Sequence, residues 1–249
     1  MSAGPELRVF PGPAEVAAAA AAEVLARGGE AVAARGAFAL ALSGGSTPRA
    51  LYALLADPRG PFAARMPWKR TQVFFGDERH VPPDHPDSNF RMARRALLAH
   101  VPVPAENVHR IRGELPDADG AAAAYERELR AALGEPPALD LVLLGLGEDG
   151  HTASLFPGSP ALEERERWVA APWVERLGTR RITLTLPALE SARQVLFLVT
   201  GAAKSAALRR ALGEPAGAEP VPASRVRPGS GRVLWLADRA AAASLGPER

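Results

Sequence analysis

The sequence predicts a three-layer α/β/α protein in which a mostly parallel, Rossmann-like sheet lies between helices. Short apolar runs alternate along the chain with longer Ala-, Leu- and Arg-rich stretches of helical spacing. Most of these runs are continuously apolar, which is typical of strands buried on both faces of a parallel sheet. One pair of apolar segments has no helix between its members, which predicts a small antiparallel region at an edge or in a subdomain.

The elements follow in order along the chain. The strands of the main sheet are predicted at residues 7–10, 38–42, 72–75, 139–144, 195–200 and 233–236. Helices are predicted at residues 14–34, 48–56, 89–100, 121–133, 204–212 and 239–244. The antiparallel pair is predicted at 168–174 and 182–186, because residues 182–186 alternate between apolar and polar. No stretch resembles an interdomain linker, so a single domain over 1–249 is expected, with 213–222 as a surface loop.

The composition excludes several classes of protein. The formal net charge of +2 is too close to zero to indicate nucleic acid or an anionic membrane as a partner. The absence of cysteine excludes disulfides, thiolate metal sites and cysteine nucleophiles. The alanine run at 17–22 is too short and too weakly apolar to span a bilayer. We therefore expect a cytoplasmic protein, a monomer or small homo-oligomer, that acts on a small molecule.

The segment after the second predicted strand has the composition of an anion-binding turn. Ligands of parallel sheets bind outside the carboxyl ends of the strands. Here two glycines allow a tight turn, and a serine or threonine can cap the helix that follows. Free N–H groups and the helix dipole favour a phosphate, although a well-capped turn is the alternative. The candidate phosphate-binding residues are Ser43, Gly44, Gly45, Ser46 and Thr47.

Three ionisable residues follow the third predicted strand. Asp77, Glu78 and Arg79 are poor material for a core and reasonable material for an active site. All three are therefore candidates for an active site. A solvated charged turn is the alternative interpretation.

The strongest local signal follows the fourth predicted strand. A glycine-rich segment, 145–150, is followed by His151, with Asp149 two positions before the histidine. Histidine can transfer protons near neutral pH, and a nearby carboxylate can orient its ring and stabilise its cation. A lone histidine is more often structural, but this one follows a glycine-rich strand end and has an acidic neighbour. We therefore interpret Asp149 and His151 as a catalytic pair.

Two cations are candidates for holding an anion. Lysine occurs only at Lys69 and Lys204. Lys204 begins a predicted helix, where a cation gains nothing from the dipole, so a bound anion would explain its position. A lysine that points into solvent is the alternative. Arg181 precedes the alternating strand and is the second candidate, although Arg180 is equally suitable by its chemistry.

Five segments together resemble the 6-phosphogluconolactonase family and occur in that family's order. Each segment alone is common, but the ordered set is specific and spans most of the chain. The segments are LALSGGSTPRALY from Leu40, FFGDERHVPPDHPDSNFRM from Phe74, LDLVLLGLGEDGHTASLFPGSP from Leu139, RITLTLPAL from Arg181 and VTGAAKSAAL from Val199.

The resemblance implies an α/β fold of the deaminase/ribose-5-phosphate isomerase type. It implies hydrolysis of 6-phosphoglucono-1,5-lactone to 6-phosphogluconate, the second step of the oxidative pentose phosphate pathway, with no cofactor and no metal. A G-x-S-x-G nucleophile segment is absent from the sequence, so direct attack by water is favoured. The implied catalytic residues are His151 as general base, Asp149 as its orienting partner, and Arg79, held by Asp77, near the reacting carbon. The implied phosphate site is the 43–47 turn clamped by Arg181 and Lys204.

The neighbouring glucosamine-6-phosphate deaminase family is the main alternative. It shares the SGG turn, the acidic strand end and the DGH motif. Its usual pattern after DGH is IAFNEPG, with a glutamate that partners the histidine, whereas this chain has Phe156 at that position. Its MDEY-type strand end is replaced here by GDER, which adds Arg79. We therefore favour the lactonase over a deaminase-like isomerase, and a non-catalytic sugar-phosphate-binding module is the third hypothesis.

Overall fold

The structure is a computed structural model that describes residues 6–213 and 220–246, so most of the loop predicted at 213–222 lies outside the described residues. The described chain contains ten strands. They are β1 (Glu6–Phe10), β2 (Phe38–Leu42), β3 (Thr71–Phe75), β4 (Asp77–Arg79), β5 (Leu141–Gly145), β6 (Val169–Ala170), β7 (Trp173–Val174), β8 (Thr179–Leu184), β9 (Gln194–Val199) and β10 (Arg232–Asp238).

Six α-helices connect the strands. They are α1 (Pro13–Arg35), α2 (Ser46–Ala56), α3 (Asn89–Ala93), α4 (Ala118–Leu133), α5 (Leu186–Glu190) and α6 (Ser205–Ala211). The helix predicted at 89–100 is α3 followed by a π-helical turn at Arg94–Leu98. The helix predicted at 239–244 is wrong, because this segment forms only turns. It is too short to sustain a helix, and the Asp238 carboxylate binds the amide of Ala241 at 2.7 Å.

The main sheet is parallel throughout the described chain, in the order β1-β10-β9-β5-β2-β3. All residues of β2 and β9 are buried, which explains the continuously apolar runs 38–42 and 195–199. Helices α1 and α2 pack against each other and against this sheet. The predicted α/β class with a mostly parallel sheet is confirmed. Among the described residues, no helix combines the length and the apolar character that a bilayer crossing requires.

The antiparallel region is a separate small sheet with the order β4-β8-β6, and β7 pairs with the other part of β8. Antiparallel pairing is confirmed, but the predicted bounds differ: 168–174 divides into β6 and β7, and residue 186 already belongs to α5. No strand was predicted at β4, where a solvated charged turn was one of two interpretations. This segment forms a strand because its three residues pair with β8, a partner about one hundred positions later in the chain.

The topology places a crevice between the carboxyl ends of β2 and β5. The chain runs from β2 to β3 on one side and later returns to β5 on the other side of β2. Loops that leave the sheet at such a reversal diverge, and ligands of open parallel sheets bind there. The turn after β2 and the Asp149–His151 segment after β5 therefore face the same crevice.

The two tyrosines of the chain each hold the end of a strand near this crevice. The Tyr52 hydroxyl accepts the amide proton of Ser43 at 2.9 Å and donates to its carbonyl at 2.8 Å. Tyr125 makes the same pair of bonds to Phe75, at 2.8 and 3.0 Å. Burial raises the pKa of both hydroxyls. These neutral hydroxyls satisfy buried backbone groups where the strands end.

Candidate active site

A cavity of about 270 Å³ opens at the carboxyl ends of β2, β5 and β9, with β4 as a further wall. This volume is just below the usual range for small-molecule sites, which begins at about 300 Å³. The cavity lining includes nine of the eleven residues predicted from the sequence, and Asp149 and Arg181 lie outside that lining. The nine residues are Ser43, Gly44, Gly45, Ser46, Thr47, Asp77, Arg79, His151 and Lys204.

The turn after β2 presents unused hydrogen-bond donors to the cavity. Gly45 has φ of +109°, a conformation that glycine adopts without strain, and it stands at the N-cap of α2. The expected side-chain cap is wrong, because Ser46 and Thr47 lie inside the first turn and no side chain caps this helix. Thr47 Oγ1 lies 2.7 Å from Thr200 Oγ1 instead. The N–H groups of the first turn therefore remain available to an anion.

Ser43 adds a further donor to the same wall. Its hydroxyl is buried and has no hydrogen-bond partner in the described parts of the chain. A buried hydroxyl without a partner is unfavourable, so a ligand oxygen at this point would be stabilised. The sequence-based interpretation of residues 43–47 as an anion-binding turn is consistent with this arrangement.

Asn89 links this turn to β4, a role that the sequence did not indicate. Its side-chain amide donates to the carbonyl of Asp77 at 2.9 Å and to Asp77 Oδ1 at 3.1 Å. A methyl group on Gly44 would overlap this amide, so the glycine is needed for the close approach. No local pattern in the sequence indicated this role, although Asn89 lies within the resemblance segment that starts at Phe74.

The buried Asp77 carboxylate faces the cavity but does not form an ion pair with Arg79, so that expectation is wrong. Its Oδ2 accepts a hydrogen bond from Ser154 Oγ at 2.6 Å, and its Oδ1 is held by Asn89. Arg79 donates to the backbone carbonyl of Asp87. Ser154 and Asn89 therefore fix the carboxylate, while the Arg79 guanidinium contacts a backbone carbonyl.

Glu78, between these two residues, points away from the cavity and is only 2% exposed. Its carboxylate accepts four hydrogen bonds, from the amides of Arg79, Asn89 and Phe90 and from the Ser88 hydroxyl, at 2.7–2.9 Å. Burial raises its pKa, and these hydrogen bonds oppose the shift. Glu78 therefore anchors the segment that carries Asn89, while Asp77 and Arg79 face the ligand space.

His151 and Asp149 form a directly bonded pair. One oxygen of Asp149 lies 2.5 Å from His151 Nδ1 and 3.1 Å from the His151 amide. Burial alone would raise the pKa of Asp149, but hydrogen bonds from His151, its charge and that of Arg176 hold the pKa below the ordinary range. An ionised Asp149 that accepts from Nδ1 leaves Nε2 as the basic nitrogen of the neutral ring. The Phe156 ring stacks on this imidazole with centroids 4.3 Å apart.

Lys204 reaches the cavity from the turn that follows β9. The carboxylate of Asp238 fixes this turn by accepting the amide of Gly201 at 3.0 and 3.1 Å. Lys204 Nζ lies 3.8 Å from Glu148, whose side chain is largely exposed. A weak, exposed partner of this kind leaves the ammonium available to a stronger anion.

Arg181 lies beside Arg79 on the small antiparallel sheet and outside the cavity lining. The two arginines are register partners in the antiparallel pair of β4 and β8. Arg181 Nε is buried without a partner in the described residues, and burial lowers the pKa of Arg181 together with the charge of Arg79. Arg180 donates to the carbonyl of Ala171 and lies 3.6 Å from Asp119. Of the two neighbours, Arg181 is therefore the one next to the cavity wall.

Within residues 6–213 and 220–246, no group of three or more histidine or acidic side chains is arranged to hold a metal ion. The expectation that the chemistry needs no metal and no cofactor stays a prediction.

Comparison with known proteins decides the family. Residues 11–235 match the family described as glucosamine-6-phosphate isomerases/6-phosphogluconolactonase. A 6-phosphogluconolactonase from Nostoc sp. is 45% identical over 208 residues, which cover 82% of this chain and 83% of that protein. The chain belongs to the 6-phosphogluconolactonase family. A human 6-phosphogluconolactonase is 43% identical over 212 residues, covering 82% of this chain and 79% of the human protein.

Solved structures agree with this family. A 6-phosphogluconolactonase from Trypanosoma cruzi superposes with a TM-score of 0.86 and 33% identity, covering 98% of both chains. A monomeric glucosamine-6-phosphate deaminase superposes with a TM-score of 0.77 at 20% identity, over 96% of this chain and 99% of that one. At that identity the likeness shows the shared fold alone. The 6-phosphogluconolactonase resemblance of the sequence is therefore confirmed, together with the deaminase-like architecture.

Proposed function

We propose that this chain hydrolyses 6-phospho-D-glucono-1,5-lactone to 6-phospho-D-gluconate in the oxidative pentose phosphate pathway. One observation carries the proposal: His151 and the glycine-rich turn with Lys204 line the same small cavity. A sugar-phosphate lactone needs both features, because its ester carbon must meet a base while its phosphate is held elsewhere. The family assignment supports the same reaction.

The hydrolysis proceeds by direct attack of water. His151 Nε2 takes a proton from the water as its oxygen bonds to C1, and the carbonyl oxygen becomes an oxyanion. The C1–ring oxygen bond then breaks, and the leaving ring oxygen receives the proton from the imidazolium. The product acid releases its proton to solvent as a carboxylate. Asp149 stabilises the transient imidazolium, and Arg79 supplies positive charge for the oxyanion.

Binding of the substrate's phosphate group holds the ester carbon in position relative to the base. The first turn of α2, the Ser43 side chain and Lys204 all belong to the lining of this cavity, and the Ser43 hydroxyl is buried without a partner in the described residues. Binding energy gained at this non-reacting end positions C1 near His151. Arg181, the register partner of Arg79 on β8, adds positive charge beside β4.

The deaminase alternative requires a second acid–base group beside the histidine. Phe156 stacks on His151 where the deaminase pattern has its glutamate. A phenyl ring cannot exchange a proton, so the arrangement favours ester hydrolysis over ring opening and isomerisation.

The decisive experiment supplies lactone generated freshly from glucose 6-phosphate and follows its disappearance against the spontaneous rate. The expected result is a rate proportional to enzyme concentration, which is unchanged by a chelator. Ammonia release from glucosamine 6-phosphate would identify a deaminase instead. Tight binding of 6-phosphogluconate without turnover of the lactone would identify a sugar-phosphate-binding module.

The remaining expectations are part of the same proposal. Residues 1–249 form one domain that acts in the cytoplasm as a monomer or small homo-oligomer, on a small molecule and without nucleic acid, metal or cofactor. The near-neutral net charge of +2 supports a small-molecule partner over a polyanionic one.

A further inference from the structure

Three side chains, those of Asp149, Arg176 and Phe156, form a closed ring with the His151 imidazole, and one of them, Arg176, has no role in the reaction described above. Asp149 Oδ1 binds His151 Nδ1 at 2.5 Å, and the other oxygen, Oδ2, lies 3.2 Å from an Arg176 nitrogen. The Arg176 guanidinium lies 4.9 Å from the ring centroid of Phe156. Phe156 in turn stacks on His151 at 4.3 Å, which closes the ring.

Arg176 reaches this ring from a different part of the fold. His151, Asp149 and Phe156 belong to the loop that follows β5, whereas Arg176 lies on the 3-10 turn Glu175–Leu177 between β7 and β8. Gly178, with φ of +57°, reverses the chain immediately after this turn. The small antiparallel sheet therefore supplies one side chain to the histidine loop of the main sheet.

We propose that Arg176 is a positioning residue for lactone hydrolysis, an inference that rests on the proposed function. Asp149 can orient the imidazole only if Oδ1 stays directed at Nδ1. Arg176 holds Oδ2 and thereby restricts rotation of the carboxylate. The hydrogen bond that one ring nitrogen makes sets which nitrogen carries the proton, so a group that fixes the acceptor also fixes the tautomer.

The contact with Phe156 gives Arg176 a second way to position the His151 imidazole. A guanidinium within about 6 Å of an aromatic centroid is attracted to the ring face. Phe156 contacts both the guanidinium and the imidazole, so the plane of the histidine ring is coupled to the position of Arg176. A lysine at 176 would keep the charge near Asp149 but would lose the planar fork that addresses both partners.

The kinetic test uses Arg176→Ala and Arg176→Lys with lactone as substrate. We expect kcat to fall about tenfold or more in Arg176→Ala, with KM within about twofold of the wild type, and a partial return of kcat in Arg176→Lys. Arg167→Ala is the matched control, because Arg167 is similarly exposed (60% against 54%) and pairs with Glu164 at 2.6 Å. A wild-type kcat in Arg176→Ala, or a rise in KM alone, overturns the proposal.

A second readout is independent of turnover. In ¹⁵N NMR spectra of the ligand-free protein, His151, assigned by its loss in His151→Gln, is expected to carry its proton on Nδ1. Arg176→Ala is expected to show a mixture of tautomers, and Arg167→Ala the wild-type spectrum. An unchanged tautomer in Arg176→Ala overturns the positioning role even if kcat falls. Failure of the wild type to hydrolyse lactone would instead refute the proposed function, and the NMR result would still stand.

Discussion

Gly147 lies so close to His151 that a methyl group at position 147 would overlap the imidazole. The same methyl would come within 2.6 Å of Asp149 Oδ1. The backbone amide of Gly147 also donates a hydrogen bond to the His151 carbonyl at 2.8 Å. The absence of a side chain at 147 is therefore what allows the carboxylate and the imidazole to meet.

Gly147→Ala is expected to displace the imidazole and lower kcat by about a hundredfold, because a misplacement of about 1 Å can have that effect. Steady-state kinetics with fresh lactone measures the loss. Gly29→Ala is the control, since a methyl group there meets no atom within 4 Å. Wild-type kcat in Gly147→Ala would show that the geometry of the Asp149–His151 pair is not needed for turnover.

His151→Ala is expected to lower kcat by about 10²–10⁴-fold, the usual contribution of a general base. Affinity for 6-phosphogluconate should change little, because the phosphate contacts lie on other residues. Calorimetric titration measures that affinity. The exposed His100 offers a control substitution outside the cavity. If His151→Ala retains near-wild-type turnover, the base is another group.

Lys204→Ala is expected to raise KM and weaken 6-phosphogluconate binding about tenfold or more, with a smaller effect on kcat. The reason is loss of one charge-assisted hydrogen bond to phosphate. The only other lysine, Lys69, is exposed and lies outside the cavity lining, so Lys69→Ala is the matched control. Unchanged product affinity in Lys204→Ala would refute the phosphate clamp. Arg181→Ala tests the second cation in the same assay.

The stability of the protein is expected to depend on pH through Glu78. Burial raises the pKa of this carboxyl above its ordinary value of 4.5. As the pH rises past 4.5, the Glu78 carboxyl ionises in the unfolded chain before it ionises in the folded protein. Its contribution to stability is therefore complete below pH 4.5 and is lost as the pH rises through the folded-state pKa. Glu78→Gln removes this titration.

Urea unfolding of wild type and Glu78→Gln across pH 4 to 7 measures the effect. As the pH rises, the free energy of unfolding of the wild type should fall relative to that of Glu78→Gln, by at most about 1.4 kcal/mol per pH unit. Two parallel stability curves would show that Glu78 ionises in the folded protein as it does in the unfolded chain.

The sequence predicted the main sheet well because its signal is local. Strands such as Phe38–Leu42 are buried on both faces, so their composition alone distinguishes them. Strand β4 gave no such signal, since three charged residues form a strand only by pairing with β8. The helix predicted at 239–244 failed for the related reason that local alanine content does not sustain a helix without enough length or tertiary packing.

The same difference between local and long-range signals applies to the residues of the candidate site. Residues in one segment, such as Asp149 and His151, were paired correctly because two positions in a tight loop cannot be far apart. Asn89, Ser154 and Arg176 were missed, because their partners come from other segments and no local pattern indicates them. The sequence also did not indicate that Glu78 points into the protein while Asp77 and Arg79 face the cavity.

The amino-acid sequence by itself determined the class of fold, the glycine-rich turn and the identity of the histidine–aspartate pair, because periodicity and short-range spacing encode them. Only the tertiary structure decided that Lys204 shares a cavity with His151, that Arg181 lies beside Arg79, and that Arg176 closes the ring behind the imidazole. These relationships depend on strand order and on packing between distant segments, which are set by burial of the whole core and leave no mark on any single stretch of chain.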